Sequence, residues 1–552
     1  MLPSHLYAQY TPPLRGPLLV TGTFGELRSD HFHGGLDFRA AVGTPVYAVR
    51  EGFVSRIKIT GGGYGQAIYI DHPDGKRSVY GHLEVLAPEL LDTIRSLQYA
   101  RETFEVDLSL GAEDFPVTAG QRIGGVGNRG FSFGPHLHFE IRESATDAPL
   151  NPLSLGFTIP DTRTPQLREL KLYEFTEEGE PGATRIFNLL EKELPDTIRV
   201  RSDRVGFALK AFDRQNVMPN WNGIYGARIL VDSVPVFSFT YDRIPYEKTE
   251  YLNALTDYVE WKRNKSWYYL LFARVPEAMF WKSVPDGSGT GVIRLPGNNP
   301  VAISAVVRDY AGNESIARFI VQRDRSSVSS AAPATPPDLP FQYFLPQGEA
   351  SVIDTGGLRL ELGEDALYAP LRFRYVRLVD ESAGYLSDTH QLQDEETPLH
   401  GSGKLTLQPR APIPERLRDK VYIGRCGKDG KFSSVGGEWL PDGGMMTRIK
   451  GFGDFAMLLD TLPPRIRIER FGTDLRRAAG FSLLIDNDEG GGLTYRGTVD
   501  DKWVLMEYDA KSGRLSHTFE GKLIAAGSSH RFELTVSDSR GNEARFERTF
   551  RR

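Results

Sequence analysis

The sequence is poor in residues that would cross-link it or hold it in a membrane. Its 552 residues include a single cysteine, Cys426, which excludes a disulfide within the chain and a zinc site built on paired cysteines. Cys426 lies in a glycine-rich segment, where we expect a small residue without a special role. No run of about 18 apolar residues occurs, so a helical membrane span is not expected. A metal bound here would need histidine and carboxylate ligands.

An excess of positive charge is also missing. The formal net charge is −6 and the pI is about 6.1, whereas chains that bind nucleic acid usually carry a basic surface. No HExxH motif occurs, which argues against a metallopeptidase that binds zinc through one helix. The segment GGGYG at 61–65 is not followed by Lys-Ser or Lys-Thr, so it does not predict a phosphate-binding loop.

The first nine residues resemble the end of an export signal. The segment MLPSHLYAQ places the small residue Ala8 before Gln9, as at a signal cleavage site. The charged and apolar regions that precede such a site are not in the sequence, so the signal would be truncated. We therefore expect an exported protein, located in the periplasm, in the cell envelope or outside the cell.

Two parts of the chain repeat the same features. Each begins with Asp-Thr and a nearby proline, at Asp161 and at Asp460, followed by alternating apolar residues. Each ends with two strand-like runs around the turn Asp-x-x-Gly-Asn, which starts at Asp309 and again at Asp538. Such a hairpin closes an antiparallel sheet. The repeat predicts two immunoglobulin-like β-sandwiches.

The fold class predicted from these patterns is all-β and multidomain. Alternating segments such as GLRLEL and LRFRYVRLV indicate that the stretch between the two repeats is also rich in strands. A Ser/Ala/Pro-rich stretch has the composition of an extended linker. The predicted parts are an N-terminal domain, an immunoglobulin-like sandwich, this linker, a β-rich domain and a second immunoglobulin-like sandwich: 1–160, 161–325, 326–340, 341–460 and 461–552.

The N-terminal domain is predicted to be a β-sheet domain with one short inserted helix. Glycines and short alternating runs indicate strands separated by turns. The exception runs from Pro88 to Glu102, where helical spacing is shown by the apolar residues Leu90, Leu91, Ile94 and Leu97. This helix could pack on the edge of the sheet, or it could form one wall of a substrate groove.

A strand with two histidines is the most unusual feature of this domain. In GPHLHFEIRE, His136 and His138 lie two residues apart, so a strand would point both to one face and Leu137 and Phe139 to the core. Alone, one such histidine would more often be a structural residue. Glu140 would share the histidine face, either as a hydrogen-bond partner of a metal ligand or as a carboxylate facing solvent.

Two more segments upstream carry histidines beside glycine. HFHGGLD places His33 and Asp37 four residues apart, and the two glycines between them allow a tight backbone that could bring both side chains to one ion. VYGHLE places His82 two residues after Tyr80, so both could share one face of a strand. Each motif is weak in isolation.

The order of these motifs closely resembles that of the lysostaphin/LytM-type zinc metallopeptidases. The resemblance covers about residues 20–155 and includes GTPVYAV, GGGYG, GQRIG and GNRGFSFGPHLHFE between and beside the histidines. Members of this family are peptidoglycan endopeptidases. The resemblance implies a Zn²⁺ cofactor, a metal-activated water as nucleophile, and peptide bonds of peptidoglycan stem or cross-bridge peptides as substrate.

The resemblance also implies the roles of individual residues. It assigns zinc binding to His33, Asp37 and His138, and catalysis to His82 and His136. The division of acid and base roles between the two catalytic histidines stays open.

The sequence departs from the usual family pattern near the expected groove. Glu84–Pro116 is longer than the corresponding loop of minimal members, and Arg129 and Phe133 stand where a smaller threonine is common. No expected ligand is affected, but the shape of the groove and the bond cleaved are left open.

Two other functions predict a different set of residues. Family members that have lost ligands act as non-catalytic regulators of other cell-wall hydrolases, but none of the five expected residues is missing. A surface-binding or adhesion protein would leave the clustered histidines unexplained. The C-terminal β domains are expected to bind the cell wall or a protein partner.

Overall fold

The computed structural model describes residues 10–552 apart from 158, 178, 180, 192–193, 275–289, 325–340, 380–383, 488–490 and 520–523. The predicted signal remnant at 1–9 and the predicted linker at 326–340 lie outside the described residues. The all-β, multidomain prediction is confirmed, because strands dominate every part of the described chain. No helix in the described ranges combines the length and apolar character needed to cross a bilayer.

The N-terminal domain is built on a nine-stranded sheet and a three-stranded sheet. Its strands are β1 Val20–Gly22, β2 Leu36–Arg39, β3 Pro45–Tyr47, β4 Gly52–Ile59, β5 Gln66–Asp71, β6 Lys76–Gly81, β7 Leu83–Leu86, β8 Val106–Ser109, β9 Pro116–Val117, β10 Arg122–Val126, β11 His136–Glu143 and β12 Pro149–Leu150. The large sheet has the order β1-β2-β11-β6-β5-β4-β8, with β12 beside β11 and β9 beside β4, and the small sheet is β3-β10-β7. A 3₁₀ turn, Pro152–Leu155, ends the domain.

The histidine strand β11 lies inside the large sheet, between β2 and β6. Leu137 and Phe139 point into the core and are fully buried, as the alternation predicted. The opposite face of β11 is therefore left to its polar side chains, on a strand that is fixed on both edges.

The inserted helix α1 spans Pro88–Arg101, and Glu102 ends it in the left-handed conformation. Leu90 and Ile94 are buried against the N-terminal domain. The helical spacing in the sequence therefore predicted this element and its inner face, and the helix packs against the sheet.

The second part of the chain forms two five-stranded sheets that share one core, the first sandwich. Its elements are β13 Gln166–Phe175, β14 Pro181–Asn188, β15 Thr197–Val200, β16 Arg204–Phe212, β17 Gly226–Val231, β18 Val234–Thr240, α2 Leu252–Leu255, α3 Tyr258–Asn264, β19 Tyr269–Leu270, β20 Ile293–Arg294, β21 Val301–Arg308 and β22 Glu314–Arg323, with a 3₁₀ turn at Tyr246–Tyr251. The sheets are β14-β13-β16-β19 with β20 on β16, and β15-β22-β21-β17-β18. Their apolar residues form one continuous cluster with the N-terminal core.

The third β unit also contains two five-stranded sheets, β24-β25-β29-β33-β32 and β27-β28-β34-β30-β31, and a small β23-β26 pair. Its elements are β23 Tyr343–Leu345, β24 Ser351–Thr355, β25 Leu358–Leu362, β26 Leu371–Phe373, β27 Tyr375–Leu378, β28 Thr389–Leu392, β29 Gly403–Leu407, α4 Glu415–Arg418, β30 Val421–Cys426, β31 Phe432–Ser434, β32 Glu438–Trp439, β33 Met445–Ile449 and β34 Gly453–Leu459. This unit has its own core.

The final sandwich consists of two four-stranded sheets, β35-β36-β40-β39 and β38-β37-β41-β42. Its strands are β35 Arg465–Arg470, β36 Gly480–Asp486, β37 Thr494–Val499, β38 Lys502–Trp503, β39 Glu507–Asp509, β40 Arg514–Thr518, β41 Ser529–Ser537 and β42 Glu543–Arg551. The two repeated Asp-x-x-Gly-Asn turns join β21 to β22 and β41 to β42, so both predicted hairpins are present.

Consecutive units of the chain contact each other through polar groups as well as apolar ones. The N-terminal domain meets the first sandwich through the ion pair between Glu143 and Arg243, at 2.9 Å. The first sandwich meets the third unit where the Tyr368 hydroxyl donates to the Glu250 carbonyl oxygen, at 2.9 Å.

The final sandwich contacts both the third unit and the N-terminal domain. Arg540 donates to the Val421 carbonyl oxygen at 2.8 Å, and Glu507 accepts hydrogen bonds from Arg95 at 3.0 Å and from Arg129 at 2.9 Å. The four units therefore form a closed ring, in which the last unit lies against the first.

Candidate metal centre and active site

The candidate site forms where β2, β11 and the loop before β2 meet. Asp37 on β2 lies directly opposite His138 on β11 in the antiparallel register. His33 precedes β2, and its backbone bonds to Glu26 and Gly25 fix the loop. A Cβ atom at Gly35 would lie 2.2 Å from the Phe139 carbonyl oxygen. Glycine is therefore required for the loop to approach β11 and bring His33 to the site.

Three side-chain atoms from His33, Asp37 and His138 converge at one point. His33 Nε2 lies 3.1 Å from Asp37 Oδ1 and 3.1 Å from His138 Nδ1, and the last two atoms lie 2.9 Å apart. Ligands 2.0–2.1 Å from a tetrahedral zinc ion would lie about 3.3 Å from one another. The triangle therefore has nearly the size of one face of a zinc tetrahedron.

The partners of the outer ring nitrogens decide which atoms face the centre with a lone pair. His33 Nδ1 lies 2.8 Å from the Thr23 carbonyl oxygen, and His138 Nε2 lies 2.7 Å from Glu140 Oε1. Both outer nitrogens must donate, so a neutral imidazole in each position presents a lone pair inward. When both rings are neutral, their inner nitrogens and Asp37 Oδ1 are three acceptors without a donor between them, and a cation fits that arrangement.

The other Asp37 oxygen is held by a separate cation. Arg28 donates to Asp37 Oδ2 at 3.2 Å, which leaves Oδ1 for the centre. Burial alone would raise the pKa of Asp37, but the neighbouring histidines His33, His136 and His138 outweigh it and hold the pKa well below its usual range.

Glu140 is completely buried and holds His138 from behind. The structure thus favours the first of the two alternatives for Glu140, a partner of a candidate ligand, over a carboxylate facing solvent. Tyr64 also donates to Glu140 Oε1, and Arg142 donates to Oε2 at 2.6 Å. Burial would raise the pKa of Glu140, but Arg142 and His138 lower it well below its usual range, so the carboxylate stays charged.

The two remaining histidines lie beside the centre and are each held by a backbone carbonyl group. His136 Nδ1 lies 2.8 Å from the Gly134 oxygen, and His136 Nε2 lies 3.4 Å from Asp37 Oδ1. His82 Nδ1 lies 2.7 Å from the Arg129 oxygen, and the His82 and His136 ring centroids are 4.7 Å apart. All five residues expected at the site are therefore in one place.

The position of His82 differs from the sequence prediction. His82 was expected to share one face of a strand with Tyr80, but β6 ends at Gly81 and His82 adopts a left-handed backbone with φ of 61°. The reversal turns the ring of His82 toward His136, whereas Tyr80 is buried in the core. Burial lowers the pKa of His82 to about 3, aided by the nearby His138 and His136, so the ring is neutral at neutral pH.

The glycine-rich loops 61–65 and 127–134 pack directly on each other. Phe131 N–H donates to the Gly63 oxygen at 2.8 Å, and a Cβ atom at Gly130 would lie 2.3 Å from the same oxygen. The glycines thus permit loop-on-loop contact, and the pair forms one wall beside the histidines.

The departures from the family pattern lie on or beside this wall. Arg129 forms ion pairs with Glu84 at 3.1 Å and with Glu507 of the final sandwich at 2.9 Å. Phe133 is fully exposed. A cleft of about 1040 Å³ lies beside this wall and is lined by Gly61 and Gly62 of the wall and by residues of the final sandwich such as Tyr508.

Sequence reasoning missed Arg28, Tyr64 and Arg142. Arg142 could have been found, because it continues the alternation that places His138 and Glu140 on one face of β11. Tyr64 stacks on His138 with centroids 4.9 Å apart, but the two residues are distant in sequence and no spacing rule links them.

Comparison with known proteins identifies the N-terminal domain. Residues 31–98 match the model of peptidase family M23. The N-terminal domain belongs to peptidase family M23. Residues 342–460, which coincide with the third β unit, match the model of the Zu5-like domain.

Similar curated proteins support the M23 assignment over the same region. The chain is 32% identical over 135 residues to the DD-carboxypeptidase/endopeptidase Mpg of Neisseria meningitidis serogroup B, covering 24% of this chain and 25% of that protein. It is 32% identical over 123 residues to an uncharacterized metalloprotease of Haemophilus influenzae, covering 22% and 21%. The match thus spans about a quarter of the length of the first relative and about a fifth of the second.

Solved structures similar to this chain include M23 catalytic domains. The catalytic domain of the prophage-encoded M23 protein EnpA from Enterococcus faecalis has 27% identity and a TM-score of 0.21, with 27% of this chain and 98% of that chain covered. The catalytic domain of lysostaphin from Staphylococcus simulans has 26% identity and a TM-score of 0.19, with 25% and 90% covered.

Proposed function

We propose that this M23 protein is a zinc-dependent endopeptidase that hydrolyses peptide bonds in the stem or cross-bridge peptides of peptidoglycan. The observation that carries the proposal is the convergence of His33 Nε2, Asp37 Oδ1 and His138 Nδ1 within 3.1 Å of one another. Each presents a lone pair, and the donor set of two imidazoles and one carboxylate is typical of catalytic zinc sites.

The ion and the protein would make separate contributions to catalysis. A zinc ion in this ligand set would supply a Lewis acid that polarises a carbonyl group and lowers the pKa of water. The protein contributes Asp37 and Glu140, whose negative charges favour binding of a cation, and a rigid strand that holds His138 in place.

The different surroundings of His82 and His136 suit them to different catalytic roles. His82 is neutral and resists protonation because it is buried, so we assign it the role of a hydrogen-bond acceptor that orients the attacking water. His136 is closer to solvent, with 15% of its side chain exposed, and its Nε2 faces the centre. We assign His136 the proton transfer to the departing amine.

The other units suit a role at the cell wall. We propose that the protein is exported to the periplasm or cell envelope, in keeping with the substrate. We further propose that the C-terminal β units bind the wall or a protein partner and so place the M23 domain on its substrate.

The test is a pair of histidine variants that should separate catalysis from metal binding. In His136→Ala, muropeptide cleavage followed by mass spectrometry should fall at least ~100-fold, while zinc measured by atomic absorption stays near one per chain. His31→Ala is the control, because His31 lies two residues before the candidate ligand His33 but is exposed.

Two results would count against the proposal. Absence of bound zinc in the folded wild-type protein would refute the proposal that the protein is a zinc-dependent enzyme. Loss of zinc in His136→Ala would mean that His136 binds the metal and that its role was assigned wrongly.

A further inference from the structure

Three aspartates far apart in sequence meet at the junction of the N-terminal domain and the first sandwich. Asp161 lies in the segment that enters the sandwich, Asp213 directly follows β16, and Asp309 begins the turn between β21 and β22. Each offers a carboxylate oxygen, and these oxygens all lie within 4.8 Å of one another. Asp213 and Asp309 are only 3% and 4% exposed.

The surroundings of Asp213 do not neutralise its charge. The charged groups that act on it are Asp309 and Asp161, and the one hydrogen bond that lowers its pKa comes from the backbone of Arg214. Burial and the two neighbouring carboxylates raise the pKa of Asp213 to about 7. Like charges buried this closely are costly unless a cation or a proton compensates them.

Buried polar atoms without partners point to what is missing. Asp213 Oδ1 is buried and accepts no hydrogen bond from any described residue, and neither polar atom of the Asn222 side chain has a partner in that part of the chain. Asn222 is 1% exposed and exchanges both backbone hydrogen bonds with Asp213, at 2.9 Å each. Side chains of such a pair leave the same face, so the Asn222 amide points to the side that carries the Asp213 carboxylate.

The donor atoms decide the class of ligand. The site offers oxygen atoms and neither imidazole nor sulfur, which suits a hard cation. Beside it lies a cavity of about 230 Å³, whose lining includes Asp161, Asp213, Asp309, Gln215 and Phe24 of the N-terminal domain. This irregular set, with room for water, fits the six to eight oxygen ligands of Ca²⁺ better than the strict octahedron of Mg²⁺.

We propose that Asp161, Asp213 and Asp309 bind one Ca²⁺ ion at the junction between the M23 domain and the first sandwich. The ion supplies the positive charge that the buried carboxylates lack. Because one ligand lies in the segment that enters the sandwich and two lie in the sandwich itself, binding ties this segment to the sandwich.

The final sandwich contains a natural comparison. Asp538 and Asn542 repeat the bonds of Asp309 and Asn313: the backbone N–H to aspartate Oδ1 distance is 2.9 Å in both turns. The residue that directly follows β36, as Asp213 follows β16, is Asn487. Within the ranges that the structure describes, no third carboxylate joins Asp460 and Asp538. The first sandwich therefore has a negative charge, on Asp213, where the final sandwich has the neutral Asn487.

The experiment is calorimetric titration of CaCl₂ into the zinc-loaded full chain, so that the catalytic centre is already filled. Wild type should bind about one Ca²⁺ and melt at a higher temperature with calcium. Asp213→Asn and Asp309→Asn should each weaken binding at least tenfold. Asp538→Asn, which disturbs the matching turn of the final sandwich, should bind as wild type does.

A second measurement does not depend on the folding of a variant. Tyr225 and Tyr310 line the cavity, so Tb³⁺ bound there should emit when tyrosine is excited, and Ca²⁺ should displace it. The proposal is refuted if wild type binds no Ca²⁺ up to ~10 mM, well above the weakest known protein sites. Binding that persists in both Asp213→Asn and Asp309→Asn, or tighter binding of Mg²⁺ than of Ca²⁺, would overturn it equally.

Discussion

In each histidine at the M23 centre, one ring nitrogen forms a hydrogen bond that fixes the ring, and the other nitrogen faces the centre. His33, His82 and His136 donate through Nδ1 to backbone carbonyl oxygens. His138 is the exception, because its Nε2 faces the Glu140 carboxylate. A carboxylate partner makes an imidazole a better metal ligand than a carbonyl partner does. The fully buried Glu140 should therefore affect metal affinity more than any other supporting group.

Glu140→Gln should lower the affinity for zinc by about 10- to 100-fold. The amide can still accept from His138, but the negative charge that strengthens the ligand is lost, and Arg142 keeps Asp147 but loses Glu140 as a charged partner. Competition with a chromogenic chelator measures the affinity. Glu143→Gln on the same strand is the control, because Glu143 faces Arg243 at the surface. Equal affinities for the two variants would contradict the role of Glu140.

The buried Asp213 should make stability depend on pH in calcium-free buffer. Its pKa is about 7 in the folded chain and near 3.8 when unfolded, so the folded state holds the proton more tightly. Stability from this group is full below pH ~4 and is lost as the pH rises to about 7. The melting temperature of Asp213→Asn minus that of wild type should grow across this window and then level off. A pH-independent difference would show that Asp213 is not protonated on folding.

The sequence predicted which residues lie close together better than it predicted their arrangement. Alternation on a strand was enough to place His136 and His138 opposite Leu137 and Phe139. It failed at His82, because a single left-handed residue reverses the direction of a side chain and leaves no mark in the apolar pattern. The carboxylate cluster at Asp213 escaped for a different reason, since it joins parts of the chain that no local pattern connects.

At the scale of elements, the M23 centre depends on how closely the loop before β2 approaches β11. Backbone contact at Gly35 sets this distance, and His33 lies on that loop. The metal-binding geometry is thus built from one strand pair and one glycine contact rather than from a helix.

Gly35→Ala should disrupt this contact. The added Cβ would lie 2.2 Å from the Phe139 carbonyl oxygen, so the loop must shift and carry His33 away from Asp37. We expect loss of zinc and a destabilisation of about 2 kcal/mol, in the range of other forced overpacking. Gly134→Ala is the control, because its Cβ would meet no atom within 4 Å. Unchanged zinc content in Gly35→Ala would show that the loop accommodates the added methyl group and still holds His33 near Asp37.

Helix α1 was predictable in position but not in its second contact. The spacing of Leu90 and Ile94 gave the inner face, which packs as expected. The outer face meets the final sandwich, where Arg95 reaches Glu507 and the Tyr99 and Trp503 rings lie 5.0 Å apart. Polar or aromatic residues on an outer face do not reveal whether solvent or another domain covers them.

At the scale of the whole molecule, ring closure links the final sandwich to the active site. Arg129 connects the two, because its carbonyl oxygen holds His82 and its side chain is bound by Glu507. These residues are 378 positions apart in the chain. No sequence pattern predicts such a contact, although Arg129 stands out as a departure from the family pattern.

Glu507→Ala should loosen the final sandwich and disturb His82 without removing zinc. Two arginines lose a partner that is largely buried, which should destabilise the docked state by up to ~3 kcal/mol. Hydrogen exchange should increase in 127–134, and kcat should fall more than KM changes. Glu533→Ala, on the same sandwich but paired locally with Arg531, should do neither. Protection of 127–134 in Glu507→Ala equal to that in wild type would argue against coupling.

Because the ring is closed, the contact at Arg129 needs only a low intrinsic affinity. The final sandwich is tethered through the third unit, so it meets the M23 loops at the high effective concentration of an intramolecular partner. A weak interface is then sufficient to keep it docked. The same sandwich added as a separate protein would be diluted by several orders of magnitude, and its contact with the M23 domain would be largely lost.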